Sequence, residues 1–154
     1  MIFAAFGTSI PFPRLLQKLK ELAPLLNEEL VVQAGNTPGE IPGATVFRFS
    51  PELKSYYREA RIVIVHAGLG IQLELIEMKK PFIAIPRLAK YHEHHDDHQL
   101  ETCEMLSRKY GVKYLADLNE LTPELLNKYN YTPEYSDHSL KNFRERILPI
   151  LRSR

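Results

Sequence analysis

Two periodicities alternate along this chain. Residues 2–6, 30–33, 45–49, 62–65, 82–85 and 112–116 are short runs rich in β-branched, aromatic and aliphatic side chains, each stopped by glycine, proline or polar residues. In 62–65 the run is unbroken, the mark of a strand buried on both faces of a parallel sheet. Between such runs the spacing changes. Leu15, Leu16, Leu19, Leu22, Leu25 and Leu26 recur at three and four, which predicts an amphipathic helix delayed by Pro11 and Pro13. Ser50-Pro51-Glu52 and Thr122-Pro123-Glu124 each supply a cap, a proline for the first helical position and an acid for the first turn. They predict helices over 52–60 and just after 122. Further helices are expected over 71–79 and 98–110, the second ended by Gly111, and 130–137 reads as a loop. Leu140, Phe143, Ile147, Ile150 and Leu151 form a last helical stripe over about 138–152, interrupted by Pro149. Strands alternating with helices specify an α/β fold: a Rossmann-like, doubly wound parallel sheet of about six strands.

In such a sheet ligands lie beyond the carboxyl ends of the strands, so the turns there are where chemistry is sought. His66-Ala67-Gly68-Leu69-Gly70 follows the fourth run and opens a helix. Its glycines permit positive φ and close approach, and the helix start offers free N–H groups, so a phosphate fits; an unliganded tight turn fits as well. Glu74, in the first turns of that helix, is placed to accept ribose hydroxyls or simply to complement the helix dipole. Thr8 and Ser9 follow the first run, on the same edge, as phosphate contacts or as caps.

Composition narrows the classes. A length of 154 residues is most simply one domain, and 44% hydrophobic with 25% charged residues is ordinary for a globular protein. The net charge of +1 argues against a nucleic-acid binder. One cysteine, Cys103, excludes an internal disulfide and reads as a packed helix residue. No run approaches the roughly 20 apolar residues of a membrane span, and no basic signal-peptide start is present. The run His92-Glu93-His94-His95-Asp96-Asp97-His98 suggests a metal, but H-E-x-x-H spacing is absent and neighbours on a loop rarely converge. No metal is expected; the run reads as a polar active-site loop, with a metallohydrolase as the competing reading. Lys141, Arg144, Arg146, Arg152 and Arg154 line the other positions of the last helix, which packs on its own domain or docks on a partner.

Taken together, His66-Ala67-Gly68-x-Gly70-x-x-x-Glu74, Lys80-Pro81-Phe82-Ile83-Ala84-Ile85-Pro86 and Asp97-His98-Gln99-x-Glu101 resemble the C-terminal, nucleotide-sugar-binding half of family 28 glycosyltransferases. Phe3-Ala4-Ala5-Phe6-Gly7-Thr8 and Val32-Gln33-Ala34-Gly35 match the same family, so the resemblance covers roughly residues 1–120. It implies half of a GT-B fold, and the length is similar to that of the small subunit of a split transferase. A UDP-sugar would then lie with its diphosphate against His66, Ala67, Gly68, Gly70 and Ile71, beside Gly7 and Thr8. Glu74 would hold the ribose, the backbone at Phe49 and Ser50 the uracil, and Asp97, His98 and Gln99 the sugar or phosphate. The resemblance implies an inverting enzyme that needs no cofactor and no metal on the diphosphate. Its acceptor, a lipid-linked sugar, would be held by a membrane-anchored subunit that recruits this chain to the cytoplasmic face. The transferred sugar would be N-acetylglucosamine or another hexose or uronate. Two departures touch the chemistry. Ile71 stands where relatives carry serine or threonine, and Ser9 stands where many bacterial relatives carry histidine. No general base stands out; Thr8, Ser9 and His98 are the candidates. A non-catalytic nucleotide-sugar sensor or scaffold is the alternative from another class.

Overall fold

A computed structural model of the chain describes residues 1–152. Five parallel strands, β1 (Ile2–Ala5), β2 (Leu30–Gln33), β3 (Thr45–Phe47), β4 (Ile62–His66) and β5 (Phe82–Ile85), form one sheet in the order β3-β2-β1-β4-β5. Six helices accompany them: α1 (Pro13–Leu22), α2 (Leu53–Glu59), α3 (Leu69–Glu77), α4 (His98–Tyr110), α5 (Pro123–Lys128) and α6 (Asp137–Arg152). The strand order reverses at β1, whose neighbours are β2 on one side and β4 on the other. That reversal opens a crevice at the carboxyl edge between the turns after β1 and β4.

Both faces of the sheet are covered, which is why its strands are apolar at consecutive positions. Ile2, Ala4, Val32, Ile62, Ile64, Ile83 and Ile85 point to the layer formed by α1 and α5. Phe3, Ala5, Val31, Val63, Val65, Phe82 and Ala84 point to α2, α3, α4 and α6. The leucine spacing of α1 puts Leu15, Leu16, Leu19 and Leu22 in the core, each contributing roughly 1.5–3 kcal/mol of transfer free energy.

The predicted sixth strand shrinks to one bridge, Tyr114 beside Ala84, with Ala84 N–H donating to Lys113 O and Leu115 N–H to Ala84 O. Asp117 then accepts from Asn119 N–H and turns the chain into a short 3-10 segment, off the ladder. Thr122 caps α5 as expected, accepting from Leu125 N–H. Ser50 does not cap α2: its hydroxyl accepts from Glu52 N–H in a tight turn, and the helix begins later, at Leu53. α3 begins earlier than its glycines suggest, at Leu69. α6 runs through Pro149, and its Leu140, Phe143 and Ile147 pack in the second core layer. Ile150 is half exposed. Arg154, and the side chains at 151 and 152, lie outside the described residues. No helix among the described residues is long and apolar enough to cross a membrane.

Candidate functional site: the crevice at the strand-order reversal

Because β1, β2, β4 and β5 run in parallel, their carboxyl ends deliver four turns to one edge. A cleft of about 350 Å³ opens among them, bounded by Gly7, Thr8, Ser9, Gln33, His66 and Arg87 from the strand ends and turns and by Tyr57, Ile71, Glu74 and Gln99 from helices. The three N–H groups that open α3, those of Leu69, Gly70 and Ile71, precede its first intrahelical bond, from Gln72 N–H to Gly68 O. They face the end of the sheet where a negative charge would be stabilised.

The two turns after β1 and β2 lean on each other. Gly7 has φ +82° and Gly35 φ +58°, and a Cβ on Gly35 would lie 2.3 Å from Gly7 O. Asn36 donates to the carbonyls of Thr8 and Ser9, and Arg48 donates to Asn36 Oδ1 at 2.8 Å. Gln33, 1% exposed at the end of β2, donates to Arg48 O. The turn after β4 works differently from its sequence. Gly68 has φ −64° and Gly70 is already helical, so neither uses a left-handed conformation. What Gly68 provides is room, because a Cβ there would lie 2.6 Å from His66 Cε1. A Cβ on Gly7 would lie 2.8 Å from His66 Nε2 of the same ring. Two bare backbones clasp the imidazole.

Arg87 is the residue that sequence reasoning missed. It is 2% exposed, and its guanidinium donates to Phe6 O at 2.5 Å, Ile10 O at 2.6 Å and His66 Nδ1 at 3.1 Å. Its backbone N–H donates to Gln99 Oε1, and its Nε has no partner. Burial lowers Arg87 to about 10, against the pull of Glu93, so it stays charged at neutral pH. Among the described residues no carboxylate is bonded to it. Burial, and secondly the charge of Arg87, drive His66 down to about 3, so the imidazole is neutral. A charged residue placed directly after a buried strand and Pro86 was the signal available in the sequence.

The histidine-rich run divides. Glu93 is buried and accepts from Arg14 through both oxygens and from Leu88 N–H, stitching the loop to α1. Asp97 accepts from Ala89 N–H and borders a separate hollow of about 690 Å³ beside Arg14 and Tyr91. Asp96 is held low chiefly by the backbone N–H of His98, with His95 and His94 adding to it. His94, His95 and Asp96 bring one ligand atom each within 4.8 Å of one another on the exposed loop, and His94 also borders the cleft. Of the predicted residues, Gly7, Thr8, Ser9, His66, Ile71, Glu74 and Gln99 meet in the cleft. Ser50 borders an adjoining hollow that shares Tyr57 and Glu74 with it. Phe49 is half exposed, and Ala67, Gly68, Gly70, Asp97 and His98 do not line the cleft.

The glycosyltransferase family 28 C-terminal domain model matches residues 6–146, and the chain belongs to that family. No curated protein matches it. Among solved structures, a solution structure of ALG13 superposes with a TM-score of 0.57 at 20% identity, over 93% of this chain and 92% of that one. The MurG crystal structure from Acinetobacter baumannii superposes with a TM-score of 0.57 at 22% identity, over 82% of this chain and 39% of that one. The glycotransferase of kitacinnamycin gives 0.54 at 20% identity, over 82% and 33%. The chain thus spans between a third and two fifths of these last two proteins and nearly all of the first. At such identities the likeness is one of fold, and that fold is the Rossmann-like half of a GT-B enzyme.

Proposed function

We propose that the chain is the donor-binding subunit of an inverting UDP-sugar glycosyltransferase. The observation that carries this is the cleft: a helix N-terminus and a buried cation bonded to no carboxylate among the described residues meet at the strand-order reversal. A diphosphate supplies the missing negative charge. Glu74, partly exposed and 3.4 Å from Lys54 Nζ, stands between cleft and adjoining hollow, where a ribose would bring its hydroxyls. Ser50, which borders that hollow, and the backbone of its neighbour Phe49 would meet the base. His98 and Asp97, off the cleft at the start of α4, would meet the sugar beyond the cleft's rim. In the displacement, the acceptor hydroxyl attacks the anomeric carbon and UDP leaves with the bond pair. The α3 amides and Arg87 would stabilise the charge that develops on it, with no metal on the diphosphate.

The acceptor and the general base would come from a membrane-anchored partner. Family membership, and the likeness in fold to ALG13 over 93% of this chain, support the donor-binding half of such an enzyme. The sugar would be N-acetylglucosamine or another hexose or uronate, the acceptor lipid-linked, and the site of action the cytoplasmic membrane face. Titration with UDP tests the reading: Glu74→Ala is expected to weaken binding about tenfold. No binding at millimolar UDP, with or without a partner, rejects it.

A further inference from the structure

The contact between Arg87 and His66 contains more than a brace. A guanidinium has donors only, so across the 3.1 Å from Arg87 Nη1 to His66 Nδ1 the hydrogen belongs to arginine and the lone pair to Nδ1. A neutral imidazole with a lone pair on Nδ1 carries its hydrogen on Nε2. The arginine cannot swing away to release it: Nη2 is anchored on Phe6 O and Ile10 O, and the backbone N–H on Gln99. The backbones of Gly7 and Gly68 border the ring so closely that a Cβ on either would strike it. Nε2 has no protein partner among the described residues and is not sealed from solvent.

We infer that Arg87 is a positioning residue that locks His66 as the Nε2–H tautomer, making it a fixed, neutral N–H donor to a phosphate oxygen of the nucleotide. The phosphate half of this rests on the donor-binding reading above; the tautomer does not. One consequence is chemical. With Nδ1 covered by a cation and Nε2 already carrying hydrogen, His66 has no lone pair to offer and cannot be the general base. Another is that its contact with an anion does not vary with pH near neutrality. The buried ring's preference for the uncharged state points the same way. The other charged or titratable groups facing this space are Tyr57, Glu74 and His94, with Glu93 acting on Arg87 from behind.

Long-range proton–nitrogen NMR on histidine-labelled protein, without ligand, reads the tautomer directly. From pH ~6 to ~8, His66, assigned by its absence in His66→Gln, is expected to keep a pyrrole-like Nε2 and a pyridine-like Nδ1. A protonated Nδ1, or an imidazolium forming in that range, overturns the inference. In Arg87→Met the lock is gone, and the ring is expected to exchange between its two neutral tautomers, burial still holding its pKa below the ordinary value; an unchanged Nε2–H ring denies Arg87 the role. If that variant does not fold, the wild-type spectrum still decides. For the phosphate half, glutamine carries an N–H near the Nε2 position and asparagine does not. UDP affinity should survive His66→Gln within about threefold and fall at least about tenfold in His66→Asn. Equal losses in both overturn the donor role, while absence of UDP binding in the wild type rejects the donor-binding reading and leaves the tautomer result standing.

Discussion

The two edges of the sheet each hold a prominent arginine, and they treat it differently. At the amino edge, Arg61 precedes β4 and is gripped by the Glu28 carboxylate, with Leu126 O and Tyr129 O completing its bonds. Glu28 also takes the Met1 ammonium at 3.0 Å, and both partners hold its carboxyl below the usual range. At the carboxyl edge, Arg87 follows β5, is far more buried, and bonds to carbonyls and an imidazole; among the described residues no carboxylate bonds to it, Glu93 acting only at a distance. A buried charge is costly unless it is paired. The first edge pairs it within the chain, as scaffolding does; the second leaves it for something to come.

The most severe way to break the contrast is to wedge the cleft edge apart. Gly35→Ala sets a methyl against Gly7 O at a left-handed φ, and is expected to cost about 3 kcal/mol in denaturant unfolding and to weaken UDP binding. Next, Arg87→Met should lower UDP affinity about 10- to 100-fold by calorimetry, the range for loss of charge-assisted bonds. Acid should separate the edges too. His66 takes no proton when folded until about pH 3, whereas the unfolded chain takes one near its ordinary ~6.5. Its contribution is therefore full above that value and drains away as pH falls, by about 2 kcal/mol between pH 7 and pH 5. His66→Gln should remove this part of the acid sensitivity in unfolding curves. Arg61→Met should cost roughly 1–2 kcal/mol of stability and leave UDP affinity unchanged, the reverse of the Arg87 pattern. The smallest effect belongs away from both edges. Gln72 is fully buried with both amide atoms unpartnered, and Gln72→Met should stabilise by up to about 1 kcal/mol.

The strands were legible because burial on both faces leaves continuous apolar runs, and α1 because its leucines keep one period. The predicted sixth strand failed where Lys113 and Asp117 interrupt the apolar signal and the Asp117 turn ends the ladder. The edge on which the site would lie was readable from strand polarity, and Glu74, His66 and Ser9 do border the cleft there. The position of Arg87 after a buried strand and Pro86 was visible, but its role was not, because that role comes from Phe6, Ile10 and His66, which only the folded sheet brings together. The histidine run misled through adjacency. Glu93 is drawn inward by Arg14 and Asp97 back to Ala89, so neighbours in sequence serve different places.

The clasp on the imidazole also limits how this site can change by mutation. Side chains added at Gly7 and at Gly68 would strike the same ring, 2.8 Å and 2.6 Å away. Neither position can vary on its own merits while His66 is present. With a smaller residue at 66, the space at Gly68 opens, while Gly7 keeps its left-handed backbone. The three positions therefore inherit one another's history: effects at 68 and 66 should be far from additive, and a library that reshapes this crevice has to begin at the histidine.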